Sequence, residues 1–183
     1  GNPRFKYPSH LDAQSCHCGD DGKITRPPVE FHKAAAPALV EFRQVDRRDH
    51  LAFLDAQRQV NRAKKIGTQG YCMGGALVVR TAAMLPNRIG AGASFHGGGL
   101  VTTSPTSPHM LIPKMKARIY VAVASNDDAR QPEAKDALKA AFAAAKVPGE
   151  VEVYGGLHGW CVPDMAPSGG KPIYDKADAE RAW

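Results

Sequence analysis

The stretch 116–124, KARIYVAVA, constrains the fold of this chain more than any other. A short β-branched and apolar run of this kind reads as a strand buried on both faces. Such a strand needs strand neighbours on both sides, and the flanking sequence offers them. KKIGTQG (64–70), IGAGASF (89–95) and EVEVY (150–154) are further candidate strands, the second with small residues that let backbones approach closely. Helical patterns separate them. ALVVRTAAML (76–85) stops at Pro86 and Asn87. PEAKDALKAAFAAAK (132–146) places Leu138, Phe142 and Ala145 on one face, with Pro132 suited to its first turn. DKADAERAW (175–183) begins another helix. Upstream, Asp46 is a plausible N-cap, and Leu51, Leu54 and Val60 give a rough helical stripe through HLAFLDAQRQV. Strand and helix alternating in this way predict a parallel sheet covered by helices on both faces.

Length and composition limit what such a sheet serves. The 183 residues suit one domain, and 43% hydrophobic content is enough for a core. No apolar run approaches the roughly 18 residues that span a bilayer. The net charge of +6 comes from basic residues dispersed among acidic ones, without an aromatic and basic stripe. Neither a membrane nor a nucleic-acid role is therefore expected. Cys16, Cys18, Cys72 and Cys161 lack the spacing of a disulfide framework, and no signal-peptide pattern precedes them, so a cytoplasmic protein with reduced thiols is expected. Residues 1–44 show no clear period. Their Cys16-His17-Cys18 run cannot easily face one ion, and no second ligand pair lies at zinc spacing, so no metal site is expected.

One motif carries chemistry. Gly70-Tyr71-Cys72-Met73-Gly74, followed by Gly75, lies where a strand gives way to a helix. A nucleophile on so sharp a turn needs very small neighbours, because its side chain must project above the C-terminal edge of the sheet. The alternative is that Cys72 is a buried small hydrophobe, the common fate of a free cysteine. A nucleophilic thiol, with an ordinary pKa of about 8.5, wants a base and a helix N-terminus. The helix beginning at Met73 meets the second need. For the first, Asp127 follows the central strand and His158 the next one, so both lie on the same sheet edge as Cys72. Asp128 is a rival to Asp127, equally readable as a turn or capping residue. His96 also follows a strand, as a substrate contact or a packed loop residue, and His109 in its Pro- and Ser-rich loop reads as surface. Tyr71 and Trp160, beside Cys72 and His158 in sequence, are further expected substrate contacts.

GYCMGG, SNDDARQPE, LHGWCVPD and PIYDKADAERAW, in this order and spacing, together resemble the dienelactone hydrolase family of α/β-hydrolases over residues 45–183. The resemblance implies an α/β-hydrolase-type, mostly parallel sheet flanked by helices. Against family members, which are longer, the chain is expected to be incomplete in its N-terminal half and at its C-terminus. It also implies a triad with Cys72 as nucleophile, His158 as base and then acid, and Asp127 holding the imidazole, with the Met73 N–H as one oxyanion donor. The implied reaction opens a small ester or lactone through an acyl-cysteine, with no cofactor, in a monomer or homodimer. The family's substrate-binding arginine beyond the histidine has no counterpart in HGWCVPD. Two other readings stay open. One is a non-catalytic protein that binds a small acidic ligand or a partner protein; the other is a redox role for Cys16, Cys18 and Cys72 or Cys161.

Overall fold

A computed structural model describes residues 48–183. Asp46 and the Cys16-His17-Cys18 run lie outside the described residues. Leu51–Trp183 close into one compact unit. Its sheet has the order β1 (Ile66–Tyr71), β2 (Ile89–Phe95), β3 (Arg118–Ala124) and β4 (Gly149–Tyr154), and all three pairings are parallel. Each strand is joined to the next by a crossover carrying helix, as parallel pairing requires. Residues 48–55 form α1. Then come α2 (Met73–Met84), a 3₁₀ helix (Pro108–Lys114), α3 (Ser125–Arg130), α4 (Ala134–Ala145) and α5 (Lys176–Ala182).

Alternation along β3 divides the core. Ile119 and Val121 face one side, in a cluster with Val79 of α2, Ile112 of the 3₁₀ helix, and Leu138 and Phe142 of α4. Ala122 and Ala124 face the other, with Phe95, Tyr154, Trp160 and Ala179 of α5. Burying side chains the size of Leu138 and Phe142 stabilises the fold by about 1.5–3 kcal/mol each. Gly92 in the small-residue strand β2 allows α2 to come close: a Cβ there would lie 2.8 Å from Val78 Cγ1 and 2.9 Å from Ile119 Cδ1.

A polar cluster docks α5 onto the sheet. Glu152 Oε2 accepts hydrogen bonds from the Tyr120 and Tyr154 hydroxyls at 3.0 and 3.1 Å. Arg181 of α5 pairs with Glu152 and lies 4.0 Å over the Tyr154 ring. Burial, before the hydrogen bonds, raises the Tyr120 hydroxyl far above the usual phenol range. The segment between Trp160 and α5 returns to its start, where the Asp175 N–H donates to the Trp160 carbonyl at 2.9 Å.

Three local expectations are corrected. Glu133 stands at the N-cap of α4, so Pro132 precedes the helix instead of sitting in its first turn. Helix α1 ends at residue 55, so Val60 lies beyond it and extends no helical stripe. His109, expected at the surface, is half-buried, with Nδ1 2.7 Å from Ser107 Oγ.

Candidate active site

Cys72 joins β1 to α2 with φ 53° and ψ −121°, a backbone conformation that non-glycine residues rarely adopt. Its neighbours hold it there. The Cys72 N–H is shared between the Phe95 carbonyl and His96 Nδ1, each at 3.2 Å, and the Cys72 carbonyl accepts from Gly75 and Gly98 at 3.1 and 3.3 Å. The side chain is exposed, unlike that of Cys161, which is buried and whose thiol burial pushes up. Met73 opens α2, whose first N–H groups have no intrahelical acceptor.

The glycines of the turn are not equivalent. A Cβ on Gly70 would lie 2.3 Å from the Gly74 carbonyl oxygen, and one on Gly75 would lie 2.2 Å from Ser94 Oγ and 2.7 Å from Gly97 Cα. A Cβ on Gly74 meets nothing within 4 Å. The crowded position outside the strand is therefore Gly75, one residue beyond the motif's second glycine.

Asp127 and Asp128 are separated by their partners. Asp127, in the first turn of α3, places Oδ2 2.5 Å from His158 Nδ1, and its Oδ1 lies 3.6 Å from Arg130. Asp128 pairs with Lys135 at 2.7 Å. The Asp127 carboxylate accepts the Nδ1 proton, which leaves His158 Nε2 as the free nitrogen of the neutral ring. Sequence reading had no signal for α3, because SNDDAR is short and polar and looks like a turn.

His96 touches both parts of the site. Its Nδ1 receives the Cys72 N–H, and its ring meets the His158 ring edge-on at 4.6 Å and the Trp160 ring at 5.6 Å. His96 is 1% exposed and Trp160 is 0% exposed. Both expected substrate contacts are therefore buried in this structure. Tyr71 is half-buried and stacks on Phe95 at 5.2 Å. Among the described residues, no group of three His, Cys, Asp or Glu side chains could hold a metal ion, and no helix is long and apolar enough to cross a membrane.

Burial first, and then the neighbouring His158, push His96 down to about 4. The unfolded chain takes up this proton below about 6.5 while the folded protein refuses it until about 4, so stability is lost as pH falls through that window. The loss is on the order of 3 kcal/mol. His158, Asp127, Tyr71 and Cys72 lie around the ring, and none is altered by His96→Asn. That variant tolerates the positive φ of 40° and offers an oxygen to the Cys72 N–H. Urea unfolding at pH 7 and pH 4.5 should show a smaller drop in stability for the variant than for the parent. Equal drops would remove His96 as the source.

The model of the dienelactone hydrolase family matches residues 31–183. The chain belongs to this family. The solved structures it resembles share the α/β-hydrolase fold. A protein designated m3DLH is 24% identical with a TM-score of 0.64, over 82% of this chain and 60% of that one. A dienelactone hydrolase-like promiscuous phosphotriesterase from metagenomic libraries is 25% identical with a TM-score of 0.59, over 89% of this chain and 66% of that one. The chain thus spans about 60% of the length of the first of these family structures. No curated protein matches it.

Proposed function

We propose that this family member hydrolyses a small ester or lactone through an acyl-Cys72 intermediate. The observation that carries the reading is the Asp127–His158 pair, at 2.5 Å, linked through the His96 ring to the exposed cysteine of the turn. In the reaction, His158 Nε2 takes the Sγ proton and the sulfur attacks the carbonyl carbon, with the Met73 N–H facing the developing oxyanion. Collapse of the tetrahedral species breaks the C–O bond, and the leaving alkoxide takes the proton from His158. Water, deprotonated by the same nitrogen, then attacks the thioester, and the acid is released with the thiol restored. Asp127 keeps the ring in the tautomer that this requires. The scheme draws on no metal or organic cofactor.

Burst kinetics with p-nitrophenyl acetate test the reading. A rapid phase close to one equivalent of p-nitrophenol, then slower turnover, is expected, with the acetyl group recovered on the Cys72 peptide. Folded protein that gives neither burst nor adduct would favour a non-catalytic binding role.

A further inference from the structure

We propose that Asn126 is a positioning residue for His158, an inference that rests on the hydrolase reading. The loop that carries His158 has one turn of its own across that residue, from the Trp160 N–H to the Leu157 carbonyl at 2.9 Å. Gly155, Gly156 and Gly159 lie within the loop, and Gly159 has φ 101°. Glycine-rich backbone loses much conformational freedom when fixed, so an outside group has to hold the loop.

That group is α3. Ser125 donates from both its N–H and its hydroxyl to the Gly156 carbonyl, at 3.0 and 3.1 Å. Asn126 Oδ1 accepts the His158 N–H at 2.8 Å. Asp127 holds the ring. Three consecutive side chains thus meet three successive points of the loop, and from α5 the Asp178 carboxylate accepts the Gly156 N–H at 3.2 Å. The ring bond alone leaves the imidazole free to swing with its own backbone about the Asp127 contact. The Asn126 bond fixes that backbone, and the two together set where Nε2 points.

The test compares Asn126→Leu, which keeps the size and loses the acceptor, with Asn126→Asp, which keeps an oxygen at the same reach. Asn126→Ala serves as a second acceptor-free variant should the leucine disturb folding, and both alanine and leucine favour a helix. With p-nitrophenyl acetate, kcat of the acceptor-free variants should fall about 10- to 100-fold while KM stays within about twofold. Asn126→Asp should recover most of the loss. The downfield proton resonance of the His158 Nδ1–H, assigned by its absence from His158→Ala, should broaden or vanish in Asn126→Leu and persist in Asn126→Asp. Wild-type kcat and an unchanged resonance in the acceptor-free variants would overturn the proposal, as would an aspartate variant as impaired as the leucine one. If the parent protein shows no turnover, the hydrolase reading falls, and the resonance still decides the role of Asn126.

Discussion

Cys72→Ala is expected to lower kcat/KM for p-nitrophenyl acetate by about 10⁴-fold or more while leaving the fold unchanged. The two halves of this expectation have separate grounds. The side chain is exposed and its Sγ makes no hydrogen bond among the described residues, whereas the backbone N–H and carbonyl that hold the turn remain in the variant. Under the proposed mechanism the sulfur forms the only covalent bond to substrate, so its removal ends the acyl route. His158→Ala should cost a similar factor, and the double variant little more than either single one, because nucleophile and base act as one unit. Unchanged turnover in either single variant would refute the acyl-cysteine mechanism. A multiplied loss in the double variant would mean that the two residues serve separate steps.

Gly75→Ala should destabilise the fold by about 3 kcal/mol or more, at the upper end of what forced overpacking costs. The added methyl group meets Ser94 Oγ and the Gly97 backbone, both on the far side of a buried contact. Gly70→Ala should be comparably severe, since its Cβ meets the Gly74 carbonyl and can be relieved only by opening the turn. Gly74→Ala is the control. It meets no obstacle within 4 Å and adds a better helix former to α2, so its stability should equal or slightly exceed that of the parent. Urea midpoints of the three variants measure this directly. Similar losses for all three would point to a general intolerance of the turn instead of the particular contacts named here.

Much of the sheet was legible because its strands announce themselves. IGAGASF matches β2 residue for residue, and KARIYVAVA contains β3, which begins two residues later, at Arg118. The parts that escaped reading owe their form to tertiary contacts. The Pro- and Ser-rich stretch around His109 reads as a loop, yet Pro108–Lys114 form the 3₁₀ helix that fills the core with Ile112. The candidate site was legible as residue types on one sheet edge, but spacing left Asp128 as a rival to Asp127, and it is their partners, Lys135 and His158, that separate them. Nothing in SFHGGG distinguishes a buried histidine from one that lines the site. Asn126 carried no signal at all, because its partner is a backbone N–H thirty-two positions away.

The hydrogen bond from the Asp175 N–H to the Trp160 carbonyl has a practical meaning for how this protein can change. It closes the chain on itself just after the histidine and just before α5, so the excursion between them is tied off at its neck. The entropic cost of closing such a loop grows only slowly with its length. Under the proposed mechanism, insertions and deletions among the exposed residues 166–172 should leave Cys72, Asp127 and His158 in place, which makes this span the natural place to graft a new substrate preference.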